Sequence, residues 1–129
     1  MRLLIDTHVL IALAHRPRPN IGAKMASALQ SRDNVSFASA ASFWEIAIKT
    51  RIGKLETGMP LNRLAEYFEA IGINLIAIDH RHAVHAVDPE PATRDPFDRL
   101  LLAQCVAEDL RLVTLDRALM PHPLAWHGE

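Results

Sequence analysis

The fold is decided by the stretch Asp95-Pro96-Phe97-Asp98-Arg99-Leu100-Leu101-Leu102-Ala103-Gln104 and by Arg111-Leu112-Val113-Thr114-Leu115-Asp116, which follows it. Asp95 suits a helix N-cap and Pro96 the first helical position, where a missing N–H costs no hydrogen bond. The first stretch therefore predicts a helix with an apolar face and an acid, Asp98, in its first turn. The second predicts a short buried strand that ends on a carboxylate. Taken alone, a first-turn acid is typical of a capping or helix-dipole carboxylate. The other acids of the chain favour a functional role.

The composition is that of one folded domain. The chain has 129 residues, of which 50% are hydrophobic and 22% charged, so we expect a single domain over residues 1–129 with a buried core. The formal net charge of −1 gives no global attraction to nucleic acid, and at 5% aromatic residues no base-stacking surface is evident. Contact with RNA or DNA is therefore expected from a local patch. The lone Cys105 excludes an internal disulfide and is expected in the core.

Strands and helices alternate along the rest of the chain. A continuous apolar run predicts a strand at 2–5, and further strands are predicted at 35–37 and 74–78. Helices are predicted at 9–14, 20–31 (capped by Asn20), 39–50 and 60–71. A further short helix is expected to begin at Asp79, and a short edge strand is expected at 121–126. This alternation is typical of an α/β fold, a three-layer α/β/α sandwich around a central, mainly parallel sheet.

Four acids fall where such a fold gathers ligands. Asp6 and Asp116 follow predicted strands. Asp98 begins a helix, and Glu45 lies on a helix that comes after a strand. Because the carboxyl ends of parallel strands meet at one edge of the sheet, we expect the four carboxylates to converge there. Like charges about 4 Å apart repel by roughly 4 kcal/mol at an effective dielectric constant near 20. Such a cluster must protonate or bind a cation.

The donor atoms of this cluster predict the kind of cation. Ligands that are all oxygen select Mg²⁺ or Mn²⁺. A hard cation suits phosphodiester hydrolysis, since it binds a phosphate oxygen, lowers the pKa of an attacking water and stabilises the leaving oxygen. His80, His82 and His85 complete no zinc spacing, and we expect them on a hydrated helix surface.

Glu45 has two interpretations. It lies among Phe43, Trp44 and Ile46, on a helix that we expect to be packed nearly all round. A buried carboxylate is costly unless it is paired or bound to a cation. It is either a capping-box or i,i+4 partner, the latter with Lys49, or a member of the acidic site. The second-turn position of Glu45 disfavours the capping box, so the site is preferred.

A basic cluster at the end of the same helix also has two interpretations. Lys49, Arg51 and Lys54 follow Glu45 closely in the sequence. Cations at a helix C-terminus are favoured by the helix dipole, so a solvated final turn explains them. They are also the best candidates for contacts with the phosphates of a substrate.

The chain carries five blocks in this order: Asp6-Thr7-His8-Val9-Leu10, Ser42-Phe43-Trp44-Glu45-Ile46-Ala47-Ile48-Lys49, Gly53-Lys54-Leu55, Asp95-Pro96-Phe97-Asp98-Arg99 and Leu112-Val113-Thr114-Leu115-Asp116. Together they resemble a PIN-domain ribonuclease, and more closely the VapC-type toxins of bacterial type II toxin–antitoxin pairs. The resemblance runs along nearly the whole chain.

That resemblance implies a Mg²⁺- or Mn²⁺-dependent endoribonuclease that acts as a toxin. It also implies a homodimer and neutralisation by a small cognate antitoxin protein. Catalysis is assigned by it to Asp6, Glu45, Asp98 and Asp116, with Asp6, Asp98 and Asp116 as metal ligands. Thr114 lies near these acids and is grouped with the residues that contact the RNA substrate.

Two other functions remain open at this stage. One is a catalytically inactive module that keeps the fold and binds RNA or protein; the intact set of acids argues against it. The other is a receiver or phosphatase domain with Asp6 as nucleophile, but His8 occupies the position where a haloacid-type phosphatase needs an acid. The sequence has no signal-peptide pattern and no apolar run of membrane-spanning length, so we expect a cytoplasmic protein.

Overall fold

A four-stranded parallel sheet lies at the centre of the computed structural model, which describes residues 1–128. Every strand pair is parallel, and the strand order is β3-β2-β1-β4. The strands are β1 (Arg2–Ile5), β2 (Val35–Ser39), β3 (Asn74–Ile76) and β4 (Arg111–Val113). The predicted α/β class and parallel sheet are confirmed.

Six α-helices connect and cover these strands within the described residues. A 3₁₀ turn at Leu61–Arg63 leads into the fourth helix. The helices are α1 (Thr7–Ala14), α2 (Ala23–Gln30), α3 (Ala40–Arg51), α4 (Leu64–Ala70), α5 (His80–Val84) and α6 (Pro96–Glu108).

The central strand β1 is buried on both of its faces. Leu3 and Ile5 pack into one apolar cluster, which includes Phe68 of α4, and Leu4 packs into a second cluster with Leu101 of α6. All of these side chains are fully buried. Two clusters on opposite faces of one strand require helices on both sides of the sheet. This explains why β1 has a continuous apolar run rather than an alternating pattern.

The order of the strands places a crevice between β1 and β4. The chain runs outward from β1 to β2 and β3, and then returns to the other side of β1 to form β4. In open parallel sheets, ligands bind at such a reversal, beyond the carboxyl ends of the strands. The Asp6 N–H donates to the Val113 carbonyl over 2.9 Å, which holds these two strand ends side by side.

Local signals predicted α6 better than α2 or α4. The Asp95 carboxylate caps α6 by accepting from the Phe97 N–H at 2.9 Å, and Pro96 begins the helix as expected. By contrast, Asn20 does not cap α2. It accepts a hydrogen bond from the Gly22 N–H at 2.8 Å, and the helix begins only after Gly22, whose φ of 90° suits glycine. The predicted 60–71 helix divides into the 3₁₀ turn and α4.

The predicted edge strand at 121–126 is wrong. Only one bridge, between Leu112 and Ala125, pairs this segment with β4. The turns that precede it, and Pro121 and Pro123 within it, leave too little extended backbone for a ladder. No helix in residues 1–128 is long and apolar enough to cross a membrane.

Candidate active site

Asp6 lies at the carboxyl end of β1 and caps α1. Its carboxylate is 2% exposed, and it accepts hydrogen bonds from the Thr7 N–H at 2.8 Å and from the Thr114 hydroxyl at 2.6 Å. Burial raises the pKa of Asp6, while these two hydrogen bonds act in the opposite direction. The nearby charge of Glu45 raises this pKa further. Asp6 is therefore a buried acid that the fold stabilises through specific donors.

Thr114 connects Asp6 to Asp116. It is 6% exposed and lies directly after β4. Its hydroxyl donates to Asp6 and accepts from the Asp116 N–H at 3.0 Å. The Asp116 carboxylate in turn accepts from the Ala118 N–H at 2.9 Å. One hydroxyl thus fixes the loop that carries Asp116 relative to the end of β1.

Asp98 approaches the same crevice from the first turn of α6. Burial raises its pKa to about 7, and the charges of Asp95 and Asp6 are the next largest causes. The Thr93 hydroxyl lowers this pKa, and Asp116 raises it. Asp98 therefore lies within the electrostatic reach of Asp6 and Asp116.

Glu45 is buried on α3 at 3% exposure and is paired with Lys49. The Lys49 Nζ lies 2.5 Å from Glu45 Oε2, so the i,i+4 pair that the sequence left open is present. The pair does not remove Glu45 from the acidic cluster, because its charge still acts on Asp6. The pKa of Lys49 is raised chiefly by its hydrogen bond to Glu45, and the charges of Asp95 and Asp98 add to the rise.

Hydroxyl groups fix α3 to the sheet and to α1. Ser39 ends β2 and caps α3, accepting from the Ala41 N–H at 3.0 Å. The Thr7 hydroxyl donates to the Ser42 hydroxyl at 2.9 Å, and both side chains are buried. These bonds set the position of the helix turn that presents Glu45.

The predicted basic cluster is divided in the structure. Lys49 lies among the acids, whereas Arg51 and Lys54 are exposed near the end of α3. Neither of those two side chains makes a hydrogen bond or ion pair within residues 1–128. Lys49 is therefore the cation that belongs to the acidic cluster, and the other two extend the positive charge outward from it.

Two residues lie in surroundings that the sequence analysis did not predict. Trp44 was expected in the packed set of α3, but it is 61% exposed. His82 was expected on a hydrated surface, but it is 2% exposed and accepts from the Asp79 N–H at 3.0 Å. Its other ring nitrogen lies 3.0 Å from Glu108 Oε1. The signal for His82 was the position three residues after the cap Asp79, which is the spacing of a capping box.

The chemistry of the donor set fits a hard divalent cation. The four acids and Thr114 offer only oxygen ligands, and burial, followed by the charges of Asp95 and Asp6, raises the pKa of Asp98. In residues 1–128 no three acidic, histidine or cysteine side chains are arranged to hold a metal ion. Asp6 and Asp116 accept hydrogen bonds within the protein and Glu45 is paired with Lys49, so three of the four carboxylates have protein partners.

Comparison with known proteins identifies the family of this chain and a solved structure with a similar fold. The family model of the PIN domain matches residues 3–120, which confirms the resemblance to that family. A chain in the crystal structure of VapBC2 from Rickettsia felis, bound to a DNA fragment from their promoter, has a similar fold with a TM-score of 0.64. The two chains are 12% identical, and the similarity covers 97% of this chain and 96% of that one. No curated protein matches the sequence.

Proposed function

The chain belongs to the PIN-domain family, and from this we propose that it is a metal-dependent endoribonuclease that acts as the toxin of a toxin–antitoxin pair. One observation carries the proposal. Asp6 follows β1 and Asp116 lies just beyond β4; the charges of both act on Asp98, the charge of Glu45 acts on Asp6, and the pKa of Asp98 is raised to about 7. A cluster of this kind is expected to bind a cation.

Asp6, Asp98 and Asp116 are the proposed ligands of Mg²⁺ or Mn²⁺. When bound, such an ion polarises the scissile phosphate and acidifies a water molecule. Thr114 is buried between two of these acids, so its proposed role changes from RNA contact to orienting their carboxylates. A buried donor with fixed partners keeps its geometry during reaction, which favours a preorganised site.

Glu45 and Lys49 form a second proposed unit of the mechanism. The Lys49 ammonium is paired with Glu45, and the charges of Asp95 and Asp98 also act on it. An ionised Glu45 can orient a water molecule and accept its proton. Lys49 also offers a positive charge for an RNA phosphate, and Arg51 and Lys54 extend this charge along the surface.

The similar structure gives a reason to propose a partner. That structure contains VapBC2 with promoter DNA. For this chain we propose a cognate small antitoxin, a homodimer and a cytoplasmic location, in agreement with the motif resemblance. A catalytically inactive module that binds RNA or protein is the alternative function.

Cleavage of total cellular RNA tests the proposal. The purified chain, free of antitoxin, is incubated with Mg²⁺ or Mn²⁺, and parallel reactions contain EDTA, Asp6→Ala or Asp98→Asn. Glu69→Gln, a change at an exposed carboxylate on α4, is the matched control and is expected to cleave like the wild type. Discrete products that require metal and both aspartates support the nuclease. If folded wild-type protein cleaves no RNA with either metal, the inactive module is favoured.

Metal binding is measured separately from cleavage. Because a ligand that binds only the native state raises its stability, Mg²⁺ or Mn²⁺ should raise the melting temperature of the wild-type chain. The rise should be smaller in Asp98→Asn and unchanged in Glu69→Gln. Equal rises in all three proteins would contradict the assignment of Asp98 as a ligand.

A further inference from the structure

An aromatic pair, of which one member is exposed and the other half-buried, lies on the two helices that carry Glu45 and Asp98. The pair consists of Trp44 on α3 and Phe97 on α6, with ring centroids 5.8 Å apart and planes at 79°. Trp44 is 61% exposed, although a side chain of this size usually buries most of its surface. Within residues 1–128, its aromatic partner covers only part of the indole.

The sequence places this aromatic pair beside the acidic cluster. Trp44 directly precedes Glu45, and Phe97 directly precedes Asp98. The helices α3 and α6 pack against each other, so the contact between the two rings lies where the two acid-bearing helices meet. If an RNA chain binds with one phosphate at the acids, the adjacent nucleotide is therefore within reach of the indole.

The charges around this surface match one kind of occupant. Lys49 lies one turn after Glu45 and close enough to Asp95 and Asp98 for their charges to act on it. Arg51, which is exposed, lies seven residues after Trp44 on α3 and therefore on the same helix face. An exposed indole with a cation on the same face provides one surface for a base and one for a phosphate. Those are the two parts of a nucleotide.

We propose that Trp44 stacks on a nucleobase of the RNA next to the scissile phosphate. This inference rests on the proposed nuclease function and adds a specificity-determining residue to it. Phe97 holds the indole from one side by an edge contact, so less conformational freedom is lost when a base stacks on it. Stacking tolerates every base, and purines give the larger contact area. We therefore expect a preference for a purine at this position.

RNA binding without cleavage is the test. The background is Asp98→Asn in EDTA, which keeps the RNA intact, and Trp44→Ala and Trp44→Phe are introduced into it. The probes are a short oligoadenylate and an RNA of the same length that has an abasic site in every position. Trp44→Ala should weaken binding of the oligoadenylate by about 10-fold, and Trp44→Phe should retain most of the affinity. Binding of the abasic RNA should be the same in all variants.

A second readout follows the indole itself. In a Trp126→Phe background, Trp44 is the one tryptophan that remains, and stacking of adenine should quench its fluorescence. The matched control is Val84→Ala on α5, which alters a side chain that is 81% exposed and should leave both affinities unchanged. Circular dichroism confirms that each variant is folded.

The remaining outcomes separate this inference from the nuclease function. If the wild-type chain cleaves RNA but Trp44→Ala binds oligoadenylate like its parent, stacking is wrong and the nuclease stands. If Trp44→Ala loses the same amount of affinity for the oligoadenylate and for the abasic RNA, stacking is also wrong. If Trp44→Ala converts a dimer into a monomer in light scattering, a second copy of the chain covers the indole, and the inference is wrong. If no variant binds RNA and the wild type cleaves none, both proposals fail.

Discussion

Replacing Asp98 by Asn is expected to stabilise the metal-free chain at neutral and alkaline pH, even though it abolishes the proposed cleavage. Burial and the charges of Asp95 and Asp6 raise the pKa of Asp98 to about 7. The native state therefore disfavours the ionised form of this carboxyl group. Asparagine has nearly the same shape and carries no charge, so the variant avoids the free-energy cost of burying an ionised carboxylate beside other acids.

The magnitude follows from the shift in pKa. A rise from 3.8 to about 7 corresponds to about 4 kcal/mol at full ionisation, since one unit is worth about 1.4 kcal/mol. We expect about half of this, because a site near the surface relaxes around the charge and has a high effective dielectric constant. The predicted gain in the free energy of unfolding is thus about 2 kcal/mol.

The sign of the pH dependence is fixed by linkage. Between about pH 4 and pH 7 the native state keeps the Asp98 proton while the unfolded chain has lost it. The stabilising contribution of the protonated group is fully present below about pH 4 and is lost as the pH rises through about 7. The advantage of Asp98→Asn should therefore be absent near pH 4, intermediate near pH 6 and largest near pH 8.

Urea unfolding in EDTA at these three pH values measures the difference. Each variant is compared with the wild type at the same pH, which cancels the titration of all other groups to a first approximation. Glu69→Gln should show a difference near zero at every pH. If Asp98→Asn is less stable than the wild type near pH 8, or if its advantage does not change with pH, the proposed origin of the shift is wrong.

Three further predictions concern buried groups. Thr114→Val should lower the free energy of unfolding by about 1–3 kcal/mol, because the buried Asp6 loses a hydrogen bond, whereas Thr114→Ser should keep most of the wild-type stability. If the urea unfolding curves of the valine variant and the wild type coincide, this role of Thr114 is wrong. Burial raises the pKa of the Cys105 thiol, so iodoacetamide should label this thiol only in denaturant. Rapid labelling of the native chain, detected by mass spectrometry, would contradict this prediction. His82→Ala removes the capping-box contact and the hydrogen bond to Glu108, so it should lower the free energy of unfolding by about 1–2 kcal/mol and speed amide hydrogen exchange in α5. Unchanged exchange rates in α5 would show that these contacts are not needed for its stability.

The elements of the fold were largely predictable because their signals are local. The cap Asp95 and the following proline predict the start of α6, and the continuous apolar run of β1 predicts a central strand. The order of the strands was not predictable from these signals, since it depends on contacts between distant segments. The segment 121–126 is a second example of this limit on prediction. Its turns restrict its pairing with β4 to the single bridge between Leu112 and Ala125, and the periodicity of the sequence carries no information about such turns.

The sequence predicts a grouping of the acids, but it does not predict the contacts that support them. Asp6 and Asp116 follow strands, and the carboxyl ends of parallel strands share one edge. The hydrogen bond from Thr114 to Asp6 joins residues 108 positions apart, and the sequence offered no signal for it apart from the motif resemblance. Trp44 was predicted to be packed because its helix is apolar on most sides. Periodicity identifies such a helix but does not tell which side remains uncovered.

The acidic cluster neutralises its charge in two different ways, and this bears on how it would accept a cation. Glu45 has an ion-pair partner in Lys49, on the same helix. Asp98 has no ion-pair partner within residues 1–128, and burial, together with the charges of Asp95 and Asp6, raises its pKa to about 7, so this carboxyl group keeps its proton at a pH below about 7. A metal ligand must be deprotonated, so the binding of a divalent cation releases any proton that the ligand carries. Asp98 is therefore the acid through which the cluster is expected to exchange a proton for a metal ion, while the Glu45 pair stays intact and available to a substrate.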